Sequence, residues 1–187
     1  MTAEQQANEL IRILTKFDCD RLDAIADFIV CHLRQRLHPL ILICGCGGSA
    51  ADAQHFAAEI VGRFGIHDRP ALPAIALTTD TSIITAVMND YGPDEIFARQ
   101  VEALHRVATM LIVFSTSGNS PSVVAAARKA KEHDIPVIAF LGEHGGEVFN
   151  LTHSAFLVPS SETSRIQEVH GFAIHVVCSA IDGGIYG

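Results

Sequence analysis

The chain has 187 residues, 49% of them hydrophobic and 18% charged, with a net charge of −8 and a mean hydropathy of +0.29. That length predicts one domain, and an apolar fraction too large for one small surface to hide predicts burial between subunits. The acidic balance argues against a general nucleic-acid binder, and no stretch approaches the roughly 18 consecutive apolar residues of a membrane span. The start, MTAEQQANEL, does not read as a signal peptide. The five cysteines (Cys19, Cys31, Cys44, Cys46, Cys178) are odd in number and form no CxxC motif. They read as free thiols in a reducing compartment, so the expected location is cytoplasmic.

Residues 3–16 and 21–36 read as amphipathic helices. Leu10, Ile11, Ile13 and Leu14 form one apolar stripe, and Leu22, Ile25, Ala26, Ile29 and Leu33 another. Asp18 or Asp20 is a candidate cap for the second helix. We read residues 1–37 as an N-terminal helical hairpin suited to a subunit contact, and 38–187 as the main domain.

Residues 40–44 form a short apolar run typical of a strand buried on both faces, residues 45–49 (GCGGS) a glycine-rich loop, and from Ala50 the pattern turns helical. Strand, tight loop and helix start together present backbone N–H groups to an anion. GCGGS lacks the Lys of one nucleotide-binding motif and the last Gly of the other. His55 and Glu59, four apart, share a face of the helix just beyond the anion-binding end. Cys44 and Cys46 would point to one side of a strand, without a recognised metal spacing.

The remainder alternates. After a polar segment bounded by Pro70 and Pro73 come a strand at 74–77, a hydroxyl-rich stretch at 78–82 and apolar residues 83–88. A turn at 89–93 (NDYGP) leads to a helix at 94–103. Residues 110–114 form the third strand, followed by the loop STSGNS (115–120) and a helix from Pro121 to about His133. Strands at 136–141 and 154–158 follow, and a last helix from about Arg165 to Asp182 is expected to stop at Gly183 and Gly184. The pattern predicts an α/β fold with a doubly wound, five-stranded parallel sheet flanked by helices. Ligands of such sheets sit at the carboxyl ends of the strands, where both glycine/serine loops fall. Neither loop carries Lys or Arg, so a phosphate there would be held by hydroxyls, N–H groups and helix dipoles.

The stretches GCGGSAADAQHFAAEIVGRF, RPALPAIALTTDTSI, NDYG, FSTSGNSP and RIQEVH, with His175 beyond, resemble the sugar isomerase (SIS) domain and, more closely, the phosphoheptose isomerase family. The resemblance covers most of the chain from residue 40 onward. It implies an aldose–ketose isomerase that converts sedoheptulose 7-phosphate to D-glycero-D-manno-heptose 7-phosphate, the first step toward bacterial ADP-heptose. By position, Cys46, Gly47, Gly48, Ser49, Glu59, Asn89, Asp90, Ser115, Thr116, Ser117, Ser120 and Gln167 would hold the substrate. His55, Glu59, Gln167 and His175 would surround one zinc ion, with Glu59 and His175 the acid/base pair. An enediol route needs a base beside carbon, a second group to move a proton to oxygen, and stabilisation of negative charge; these residue types supply them.

Gln167 and His175 are eight residues apart, about 12 Å along one helix axis. Ligand atoms sit about 2 Å from zinc. The pair is therefore expected to meet one ion only from different subunits, within a homo-oligomer that the resemblance makes a tetramer. Two departures stand out. Cys46 occupies the place of the family's usual Asn in GNGGS, and Ser164 the place where some members carry Asp. Competing readings are a non-enzymatic SIS protein that binds the replication initiator, a phosphosugar-responsive regulator (no helix-turn-helix or basic region supports it) and an isomerase of another phosphorylated ketose. The complete set His55, Glu59, Gln167 and His175 favours the enzyme. No membrane or nucleic-acid partner is expected.

Overall fold

A computed structural model describes residues 1–187. The elements run α1 (Ala3–Leu14), α2 (Cys19–Arg34), β1 (Ile41–Gly45), α3 (Gly48–Val61), β2 (Ala74–Ala76), α4 (Thr81–Tyr91), α5 (Ala98–Leu104), β3 (Met110–Ser115), α6 (Pro121–Glu132), β4 (Val137–Gly142), α7 (Gly146–Phe149), β5 (Ser154–Val158) and α8 (Thr163–Tyr186). The five strands form one parallel sheet in the order β2-β1-β3-β4-β5.

Strands β1, β3 and β4 are buried throughout. Their side chains alternate between two cores, which explains why they read as continuous apolar runs. Ile41, Ile43, Ile112, Phe114, Ile138 and Phe140 face the layer of α1, α2, α3 and α8. Leu42, Cys44, Leu111, Val113, Ala139 and Leu141 face the layer of α5, α6 and α7. Helix starts follow local chemistry: Thr2 and Gln5 form a capping box, and the carboxylates of Asp18 and Asp80 accept from the N–H groups of Arg21 and Ile83. Pro121 occupies the first turn of α6, where its missing N–H is harmless.

Two expectations are corrected. α8 runs through Gly183 and Gly184 to Tyr186 instead of stopping there. A Cβ at Gly184 would stand 3.0 Å from Val30 Cγ2 and 2.5 Å from Cγ1, so this glycine permits close approach of α8 to α2 and is no helix stop. Asn89 and Asp90, expected in a turn, lie in the last turn of α4. α8 has the length and mean hydropathy of a membrane-crossing helix, although polar residues interrupt its apolar run. Ten of its residues are buried within the chain, with Ile166, Val169, Ala173, Ile174, Val177 and Ile181 in the core that includes α2 and α3.

The stripe Leu22, Ile25, Ala26, Ile29 and Leu33 of α2 is likewise buried in this core. By contrast α4 buries none of its residues, although Ile83, Met88 and Tyr91 are large and exposed.

Candidate active site

The sheet order reverses direction between β1 and β3, and that switch point opens a crevice at the strand ends. A cavity of about 240 Å³ fills it, lined by Cys46, Gly47, Gly48, Ser49, Phe114, Ser115, Thr116, Ser120, Thr163 and Gln167. Most of the expected substrate-binding residues are therefore gathered in one place. Phe114 and Thr163 also line it; the chain order gave no signal for either. Ser117 is outside the lining, where its hydroxyl accepts from the Asn119 N–H at 3.1 Å. Asn89 and Asp90 are also outside it, exposed on α4 and hydrogen-bonded to each other at 2.7 Å.

Three helices begin at this cavity. Gly48 starts α3, Ser120 precedes α6 as its cap, and Thr163 is the first residue of α8. Each start leaves N–H groups unpaired by its own helix and carries the positive end of a dipole. The hydroxyls add donors. Ser120 caps nothing with its side chain, and its Oγ lies 3.5 Å from Ser115 Oγ, which accepts from the Gly118 N–H at 3.1 Å. No Lys or Arg lines the cavity. Gly118 is sterically required, with φ +64° and its Cβ position filled by the Gly145 backbone, whereas a Cβ on Gly48 would displace the Gln167 amide. Cys46 Sγ lies 3.3 Å from Ser122 Oγ, whereas Cys44 points into the core and burial pushes its thiol up. The two sulfurs do not form a metal pair.

α3 and α8 leave this cavity side by side. Gln167 meets Gly48 at their starts, and two turns on His175 meets His55, with Nε2 atoms 3.3 Å apart. Glu59 Oε1 lies 3.4 Å from His55 Nε2. The donor atoms of His55, Glu59 and His175 all fall within 4.8 Å of one another. Two imidazoles and a carboxylate are a common zinc set, and nitrogens about 2.0–2.1 Å from a tetrahedral centre stand roughly 3.3 Å apart. The residues fit a zinc ion and leave coordination positions open. Gln167 is not among them: within one chain it stands at the cavity, about 12 Å from His175 along α8.

Two neighbours titrate abnormally. Asp52, one turn before His55, is half-buried with Oδ2 lacking a partner; burial pushes its carboxyl up to about 6, and His55 pulls it back. His170 is fully buried between Phe114 and Phe140, and burial brings its imidazole down to about 4 against the pull of the Leu141 carbonyl. It packs in the core and faces neither the cavity nor the triad.

A parallel sheet with a cation-free phosphate-type cavity at its switch point defines a phosphosugar-binding fold. Residues 4–142 match the SIS domain. A phosphoheptose isomerase from Burkholderia pseudomallei (strain K96243) is 50% identical over 147 residues, spanning 79% of this chain and 74% of the relative. The solved phosphoheptose isomerase of Neisseria gonorrhoeae superposes with a TM-score of 0.87 at 42% identity, covering 96% of both chains. That of Francisella tularensis gives 0.85 at 34% identity, covering 98% of this chain and 100% of the other. The chain belongs to the phosphoheptose isomerase family.

Proposed function

We propose that the protein interconverts sedoheptulose 7-phosphate and D-glycero-D-manno-heptose 7-phosphate. The observation that carries this reading is the pairing of a cation-free, three-helix anion cavity with an intact His55–Glu59–His175 triad. The phosphate is held at the starts of α3, α6 and α8 by N–H groups and by Ser49, Ser115, Thr116 and Ser120. Glu59 removes the proton from the carbon beside the carbonyl and returns it to the neighbouring carbon. His175 moves the second proton between the two oxygens. His55, Glu59 and His175 would hold a zinc ion, which would supply polarisation of the carbonyl oxygen. One Glu59 oxygen faces His55; the other is left for the proton.

The site is completed by a second copy of the chain. Gln167 and the triad are too far apart in one chain to share an ion. The unburied helix α4, with exposed Ile83, Met88 and Tyr91, carries Asn89 and Asp90 and supplies an apolar face for such a contact. Homotetramerisation satisfies both.

The test is turnover of sedoheptulose 7-phosphate by zinc-loaded protein, with Glu59→Gln and His175→Gln alongside. Aldoheptose phosphate formed by the wild type and lost in both variants is expected. No turnover by a folded, zinc-loaded oligomer would overturn the substrate assignment and turn attention to another ketose phosphate, a reading that Cys46 keeps open, or to a non-enzymatic binding protein.

A further inference from the structure

Phe64 touches the triad without belonging to it. It lies in the loop between α3 and β2, and its ring stacks on that of His175 with centroids 5.5 Å apart and planes 29° apart. His175 Nε2 faces His55, and its Nδ1 has no hydrogen-bond partner in the chain. A metal-binding histidine is usually oriented by a carboxylate or carbonyl on its second nitrogen. The aromatic face of Phe64 and the edge-on ring of His55 constrain the plane of the His175 ring.

The loop is anchored from below. Around Phe64 the loop backbone is exposed and irregular, while the half-buried Phe64 ring packs against the core that includes α2 and α8. Asp182 provides the anchor. Its Oδ2 accepts from the N–H groups of Gly65 (2.7 Å) and Ile66 (2.9 Å), immediately after Phe64. Its Oδ1 lies 2.7 Å from Arg69 Nε, an ion contact whose angle falls outside hydrogen-bond geometry. These side chains are 1% and 6% exposed, a placement that demands pairing. Arg69 also donates to the Glu59 carbonyl at 2.7 Å and to the Pro70 carbonyl at 3.1 Å. Asp182 is seven residues after His175 on α8, hence on the same helical face. One buried ion pair therefore ties together the loop, the backbone of Glu59 and the face of α8 that carries His175.

We infer that Phe64 is a positioning residue that sets the His175 ring for zinc binding and proton transfer, and that the Arg69–Asp182 pair serves to hold it there. This rests on the reading of His55, Glu59 and His175 as a zinc-binding, proton-moving triad, and the test separates the two. In metal-free protein, the ring-proton resonances of His175 are assigned by NMR for wild type, Phe64→Leu, Phe64→Tyr and Asp182→Asn. Stacking displaces these resonances by ring current. Phe64→Leu abolishes that displacement and Phe64→Tyr keeps it. Zinc affinity by chelator competition falls about tenfold in Phe64→Leu, the loss typical of an outer-shell partner, and recovers in Phe64→Tyr. In turnover, Phe64→Leu lowers kcat and leaves KM unchanged, since the phosphate cavity is untouched. Asp182→Asn behaves like Phe64→Leu; if it fails to fold, Phe64→Leu carries the test alone. Wild-type resonances and wild-type zinc affinity in Phe64→Leu overturn the inference. A loss that Phe64→Tyr does not rescue also overturns it, by showing a merely packing role. Zinc bound as tightly by His55→Ala as by wild type overturns the triad instead, and the metal-free NMR comparison still judges the role of Phe64.

Discussion

Lowering the pH should unfold this protein through His170 more than through any residue of the site. The imidazole is fully buried between Phe114 and Phe140, its Nδ1 has no partner, and its pKa lies near 4. Unfolded, the same group titrates near 6.5. Above that pH both states hold it neutral and it contributes no pH dependence. Between about 6.5 and 4 the unfolded chain binds a proton that the native state refuses, so stability falls as pH falls, by up to about 1.36 kcal/mol per pH unit. From these two pKa values the loss is about 2 kcal/mol at pH 5 and about 3 kcal/mol at pH 4, a large fraction of the stability of an ordinary domain. The assay is urea unfolding of chelator-treated protein at fixed concentration from pH 7.5 to 4, for wild type and His170→Leu. The variant's absolute stability shifts with packing, but the other titrating groups are common to both chains. The difference between the two curves therefore isolates His170. Parallel curves from pH 6.5 to 4 would refute the assignment of a neutral, buried imidazole.

Three further outcomes follow from single side chains. Asp52→Asn removes a half-buried carboxyl whose raised pKa penalises its charged form, so in chelator-treated protein the variant melts higher than wild type at pH 7. That gain fades as pH drops through 6 toward 4, where wild-type Asp52 is also protonated; thermal melts at both pH values check it. Gly184→Ala places a methyl against Val30 and destabilises the α2–α8 contact by about 1–2 kcal/mol of overpacking, despite the better helix propensity of Ala, as read by urea unfolding. Gly48→Ala drives a Cβ into the Gln167 amide at the cavity and raises KM by about tenfold, the loss of one hydrogen bond to a charged group, with little change in melting temperature.

The layers and the sheet were legible because both of their signals are local. Strands buried on two faces are apolar without interruption, and several helices announce their start with a cap or a Pro, as Asp18, Asp80 and Pro121 show. His55 and Glu59 were legible as a pair because helical spacing alone sets them on one face. The partnership with His175 was not a spacing signal. It depends on α3 and α8 lying side by side, more than a hundred residues apart in the chain, and only the resemblance to a family brought His175 in. Gly184 misled for the opposite reason. A glycine pair after an apolar helix has the local look of a stop, and the contact with Val30 that keeps the helix going is tertiary. Phe64 gave no signal, since a lone aromatic residue in a polar loop has no period to betray its partner.

The cavity shows how an acidic chain with net charge −8 can offer donors to an anion without a basic residue in the lining. A lysine or arginine there would bring a full charge, a long side chain to order and competition for Glu59. Three helix starts bring about half a charge each, fixed in direction by backbone already ordered in the fold. Hydroxyls of Ser49, Ser115, Thr116 and Ser120 then provide donors whose hydrogens turn to suit the oxygens presented. The arrangement is possible only at the β1/β3 switch point, where helices leave the sheet in opposite directions and their starts are not crowded together on one face. The same topology sets α3 and α8 side by side, so that His55, Glu59 and His175 meet two turns beyond the cavity.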